Sequence, residues 1–204
     1  MLPLIASVIL ISISGVVAPG PMLAVALSKS YRSPWAGTQM ALGHAVVEIP
    51  LILIIYCGLG KFFHFNLTQI VLSILGGGMI IWMGIGLFRG RKAIIRREKD
   101  VPYSALTAGI MMSAMNPFFL LWWATIGSLW TLKFVTFGIT GLVIFIVVHW
   151  LCDLVWLTAV SNLVYRTKSY LKAGFQEGVF IVCSLLLAGF GVWFIISGIK
   201  MIIA

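Results

Sequence analysis

Charge is what this sequence has least of. Of 204 residues, 9% are charged and 61% apolar, against about 25% and about 45–50% in soluble domains. Fourteen basic and five acidic side chains are too few to wet the surface of a globule, and a mean hydropathy of +1.12 agrees. The same apolar content excludes a solvated, disordered chain and leaves no room for a separate soluble domain. Cysteine is scarce too. Cys57, Cys152 and Cys183 share no CxxC or metal spacing, and each sits in an apolar run, so they are expected to be buried, reduced packing residues. No HExxH or GxGD signature is present, which argues against an intramembrane enzyme. Gly76-Gly77-Gly78 lacks the Lys-Ser/Thr of a phosphate loop, and nothing implies a cofactor. No Lys or Arg precedes Lys29, so the chain lacks the basic n-region of a signal peptide. Met1–Ser28 is expected to remain as a span.

What is present is a series of long apolar runs. After Met1–Ser28 come Ser33–Gly60, Phe65–Phe88, Val101–Leu132, Phe134–Tyr165 and Gly178–Ile199. Each reaches the ~20 residues that carry a helix across ~30 Å of hydrocarbon, and none alternates with the period of a membrane strand. The expectation is an all-α integral membrane protein of six transmembrane helices. Its net charge of +9 then speaks of topology and anionic lipid rather than of nucleic acid. Eleven of the fourteen basic residues follow helices 1, 3 and 5 and three follow the others. The positive-inside bias puts loops 29–35, 89–103 and 166–177 in the cytoplasm and both termini outside.

The two halves resemble one another. His44-x-x-x-Glu48 in helix 2 matches His149-x-x-x-Asp153 in helix 5, and Leu75, Gly77 and Gly86 in helix 3 match Leu187, Gly189 and Gly198 in helix 6. Ala18-Pro19-Gly20-Pro21 in helix 1 corresponds to Asn116-Pro117 in helix 4. The offset between partners lengthens steadily along the chain, as longer loops in the second half produce. Three helices on either side of the basic loop enter the membrane with opposite orientation. The expected organisation is therefore a 3+3 inverted-topology repeat: residues 1–88, a basic cytoplasmic loop at 89–103, and residues 104–204. Transporters with this architecture hold their site at the repeat interface.

The residues with chemistry lie inside the spans. A proline lacks an N–H and strains the carbonyl four residues before it. Helices 1 and 4 are thus expected to break at Pro19-Gly20-Pro21 and at Asn116-Pro117, with Phe118 and Trp122 after the second break available to a substrate gate. Broken backbone at membrane depth persists only within protein or along a wet cavity. The other aromatics of helix 4, Phe119, Trp123 and Trp130, are expected to face lipid or the interface. Glu48 and Asp153 are the only acids in any span, where a charge costs ~2.5–3.5 kcal/mol or more. Each follows a histidine by four residues, so His44 and Glu48 share one helical face, as do His149 and Asp153. These four can couple transport to a proton or cation gradient, can act as ligands of a divalent metal, or can pin two helices together.

At these residues the chain is similar to the LysE/RhtB family of amino-acid exporters. The resemblance rests on Ala18–Pro21, Gly37, the ALGHAVVE segment at Ala41–Glu48 and the basic central loop. It continues through Gly109 to Asn116-Pro117, Asp153, and the closing Gly189 and Gly198-Ile-Lys. It implies secondary export of amino acids or related small solutes through the cytoplasmic membrane, driven by an ion gradient. No enzymatic activity or cofactor is implied, and assembly into a homo-oligomer is allowed. The wider superfamily includes cation exporters, so a divalent metal is the alternative cargo. Where the family usually has Lys after Asn-Pro, this chain has Phe118.

Overall fold

The computed structural model describes residues 2–17, 20–58, 65–95 and 103–203, with the backbone alone for Ser14, Pro117, Phe118, Leu121 and Thr125. The described residues are helical and contain no strand. Four helices are long and apolar enough to cross a membrane unbroken: α3 (Ala36–Tyr56), α4 (Asn66–Ile95), α8 (Gly138–Thr167) and α9 (Ala173–Ile203). The remaining apolar sequence folds as shorter helices. These are α1 (Leu2–Val16) and α2 (Pro21–Ser30) before α3, and α5 (Ala105–Ala114), α6 (Pro117–Trp122) and α7 (Ser128–Val135) between α4 and α8. A π-helical turn, Trp123–Gly127, joins α6 to α7.

Local chemistry sets these boundaries. α2 opens with Pro21 at its first helical position, after an extended Gly20 (φ −151°, ψ −179°) that offers no side-chain cap. α5 is capped by Ser104, whose Oγ accepts the Thr107 N–H at 3.0 Å, an arrangement that stabilises a helix start by ~1 kcal/mol. α3 contains Pro50, which leaves the Val46 carbonyl without its helical donor. α4 runs on to Ile95, so the first residues of the expected central loop are helical, and 96–102 lie outside the described residues.

The bundle is apolar outside as well as through most of its interior. Leu129, Val155, Leu163 and Leu185 are each 64% exposed, which suits a surface that meets lipid. Two apolar cores fill the interior. One gathers Ala24, Met40, Ala41, Met112 and Leu157 with residues of α4 and α9; the other gathers Val8, Leu51, Ile52, Leu120 and Phe145. On α3 the pair His44 and Glu48 falls between the residues given to the two cores, and on α8 so does the pair His149 and Asp153. A buried polar layer thus separates two oily ones.

Close helix crossings hold that layer. A Cβ on Gly43 would stand 2.1 Å from the Leu106 carbonyl oxygen, and one on Gly109 would stand 2.1 Å from that of Met40. The reciprocal contact lets α3 and α5 touch backbone to backbone. α8 is laced to α3 and the turn before it by polar bonds: Thr38 Oγ1 to Thr158 Oγ1 at 2.9 Å, Trp150 Nε1 to the Ala41 carbonyl at 3.0 Å, and Ser161 Oγ to the Pro34 carbonyl at 2.9 Å. At one end of the bundle, Lys29 donates to the Tyr103 carbonyl and Lys168 to the Tyr31 carbonyl. Both lysines are buried, so two of the eleven basic residues read as loop charges serve instead as internal struts. Cys57 also departs from expectation. It caps the end of α3 and is exposed, whereas Cys152 is half-buried, Cys183 is buried, and all three are free thiols.

Gly109→Val must push α5 away from α3. It should cost about 1–3 kcal/mol or more, read as a lower unfolding midpoint of the detergent-solubilised protein, while the same change at Gly189, which has open space around it, should leave the midpoint within error.

Candidate functional site

The polar layer converges on Glu48. The carboxylate is 1% exposed, and its Oε1 accepts from two imidazoles on different helices, His44 Nε2 at 2.9 Å and His149 Nε2 at 3.2 Å. Asp153, one turn beyond His149 on α8, turns towards α3. Its Oδ1 lies 3.9 Å from His44 Nε2. The second oxygens, Glu48 Oε2 and Asp153 Oδ2, are buried and have no hydrogen-bond partner among the described residues. Two buried acceptors without donors are costly to hold, so this site has capacity for a bound cation or donor.

Both histidines are fixed from behind by serines. His44 Nδ1 is 2.6 Å from Ser113 Oγ, and His149 Nδ1 is 2.6 Å from Ser12 Oγ. Ser113 Oγ also donates to the Gly109 carbonyl at 2.7 Å. A hydroxyl carries one proton, so in that arrangement His44 Nδ1 must be the donor to Ser113. His44 then donates from both ring nitrogens and is an imidazolium facing the Glu48 carboxylate. Turning the Ser113 proton from Gly109 to Nδ1 serves a neutral His44 equally well, so one serine accommodates both protonation states. Aromatic rings close the sides. Trp122 and Phe145 stack on His149 at centroid distances of 5.4 and 5.8 Å, Trp123 meets its edge at 5.2 Å, and Phe119 meets the edge of His44 at 5.1 Å.

The two histidines, both acids, Ser12, Ser113 and the rings of Phe119, Trp122 and Trp123 border one cavity of about 360 Å³, within the range of small-ligand sites. Its wall combines the His and acid cluster with Phe119, Trp122, Trp123 and the α9 rings Phe190, Trp193 and Phe194. Gly20, Pro21, Met22 and Leu23 at the start of α2 border it as well. Pro21 has no N–H, and those of Met22 and Leu23 precede the first intrahelical acceptor, so an uncapped helix start opens on the same space as the acids.

A family model, LysE type translocator, matches residues 13–198, nearly the whole chain. The protein belongs to that family. No curated protein and no solved structure matches it. As a LysE type translocator with several membrane-spanning helices, it is a multi-pass membrane exporter of small solutes.

The structure brings together most of the residues singled out in the sequence. His44, Glu48, His149 and Asp153 form one cluster, and Gly20, Pro21 and Asn116 border its cavity. Pro117 begins α6. Pro19 lies outside the described residues, as does the side chain of Phe118. One pairing differs from the sequence pattern: His149 bonds Glu48 across the helix interface, not Asp153 on its own helix. Trp123 also differs, because it is fully buried and not turned to lipid. The π-helical turn is the reason. Ser128 Oγ donates to the Trp123 carbonyl at 2.7 Å, and the widened turn directs two successive tryptophans at His149. Phe119, expected at lipid or the interface, borders the cavity instead, and the Ser12 and Ser113 side chains were not singled out. A serine in an apolar run is a weak signal, since it is as easily satisfied by its own helix.

Glu48 and Asp153 should differ in what they stabilise. Glu48→Ala strips two imidazoles of their shared acceptor and should cost about 3–5 kcal/mol. Asp153→Asn keeps the shape, removes a buried charge whose nearest ion-pair partner among the described residues is 3.9 Å away, and should cost less than Glu48→Ala. Denaturation midpoints of the two variants in the same detergent check the ordering.

Proposed function

We propose that this protein exports amino acids or closely related small solutes across the cytoplasmic membrane in exchange for protons. The carrying observation is a buried cluster of two histidines and two acids on the wall of a solute-sized cavity. Each acid there is costly as an anion at membrane depth, and each histidine can hold or release a proton near neutral pH. The cluster also offers two unfilled acceptors to a substrate ammonium. The uncapped start of α2 is suited to a carboxylate, as half-helix ends are in other transporters. A zwitterion has both groups. Phe118, in place of the usual Lys, makes an apolar side chain the next residue after the Asn-Pro pair.

In this reading α1 with α2, and α5 with α6 and α7, are two further crossings, discontinuous at Pro19–Pro21 and Asn116-Pro117. With α3, α4, α8 and α9 they make six. The halves are residues 1–88 and 104–204, related as an inverted repeat about the basic cytoplasmic loop at 89–103, with both termini outside. Contacts at the cluster support the relation. Ser113 of helix 4 reaches His44 of helix 2, and Ser12 of helix 1 reaches His149 of helix 5, the same bond with the halves exchanged. An organic solute is favoured over a bare metal ion as cargo because rings and alkyl groups form most of the wall, whereas a cation path needs a succession of oxygens.

Everted vesicles loaded with a panel of amino acids test the function, with and without a pH gradient. Flux should follow the gradient in the parent protein, and Glu48→Gln with Asp153→Asn should reduce it to background while the protein remains in the membrane. Gradient-driven flux in both variants at the parent rate would make the acids structural. Labelling of single cysteines from either side should find 89–103 cytoplasmic and both termini outside.

A further inference from the structure

We infer that His44, Glu48 and Asp153 are also the ligands of one divalent transition-metal ion, taken up in exchange for the proton on His44, while His149 stays beside them as a hydrogen-bond partner of Glu48. The inference rests on the proton-carrying reading of this cluster. The distances carry it. A tetrahedral ion with bonds of about 2.0–2.1 Å spaces its ligand atoms about 3.4 Å apart. Two separations at His44 Nε2 bracket that value: Glu48 Oε1 is 2.9 Å away and Asp153 Oδ1 is 3.9 Å away. His44, Glu48 and Asp153 each present a donor atom within 4.8 Å of the other two.

The surroundings are those of a ligand shell. Metal-bound histidines are oriented by a partner on the other ring nitrogen, and here His44 Nδ1 is held by Ser113 at 2.6 Å. That hydrogen-bond chain continues to the Gly109 carbonyl. With the Ser113 proton on that carbonyl, Nδ1 carries a proton and the Nε2 lone pair is available to a metal. The unpartnered Glu48 Oε2 and Asp153 Oδ2 supply charge that the hydrogen bonds do not use. An imidazole nitrogen with two carboxylates suits Zn²⁺, Co²⁺ or Mn²⁺ rather than Mg²⁺ or Ca²⁺, which prefer oxygen alone. The proton on His44 Nε2 must leave before the nitrogen can bind metal, so ion and proton exclude one another.

The test is calorimetric titration of the full chain in detergent with Zn²⁺, in two buffers of different ionisation enthalpy so that released protons are counted. About one Zn²⁺ per chain with proton release is expected, and no comparable heat with Mg²⁺. Ser113→Ala should weaken binding about 10–100-fold and Asp153→Asn at least about tenfold, while Cys57→Ala should leave it unchanged. Co²⁺ on the unaltered protein reads the geometry without a variant, because four-coordinate Co²⁺ absorbs visible light far more strongly than six-coordinate Co²⁺. Absence of saturable binding, a weak six-coordinate spectrum, or binding untouched by both site variants would overturn the metal site and leave the proton reading standing. Binding without proton release would overturn the exchange. Flux indifferent to pH would overturn the transport reading alone.

Discussion

One carboxylate oxygen organises this molecule. Glu48 Oε1 is shared by imidazoles from α3 and α8, and in an apolar interior neither the anion nor its partners could be left alone. Everything near the bundle centre answers to that shared acceptor. Glycines bring α3 against α5 so that Ser113 reaches His44. Polar bonds fix α8 against α3 so that His149 reaches Glu48. The rings of α6 and the π-helical turn shield both histidines. Charge at this depth is tolerated because it is enclosed and mutually neutralised, and the two apolar cores on either side keep the polar layer thin.

That arrangement also explains how a stable bundle can hold an unsatisfied centre. The cores supply cohesion without reference to the cluster, so the cluster can retain unused acceptors beside a cavity. The same atoms that bind the helices together are those a proton, an ammonium group or a metal would seek. Structural adhesion and ligand capacity are here two uses of one set of lone pairs.

Much of this was legible in the residues. The i,i+4 spacing placed His44 beside Glu48, and the rarity of acids in apolar runs marked Glu48 and Asp153 as special. Prolines at Pro21, Pro50 and Pro117 announced where helical hydrogen bonds are lost. The spacing on α8 misled, because it could not show that Glu48 on the neighbouring helix offers His149 a nearer acceptor than Asp153 one turn away. Cross-helix partners leave no periodicity to read. Trp123 was hidden by a π-helical turn, since an extra residue in one turn rotates a side chain off the face that a 3.6-residue period assigns to it. Lys29 and Lys168 read as loop charges because long cationic side chains end most helices, and only backbone carbonyls arriving from elsewhere in the chain turned them inward.

The bonds from Lys168 to the Tyr31 carbonyl and from Ser12 to His149 each join residues 137 positions apart. During synthesis the early helices must wait in the lipid with those polar groups unmatched until α8 arrives. The first half therefore enters the bilayer as an incomplete object, with Glu48 holding one imidazole of two and an open seam along α3. Completion by α8 is the event that seals it.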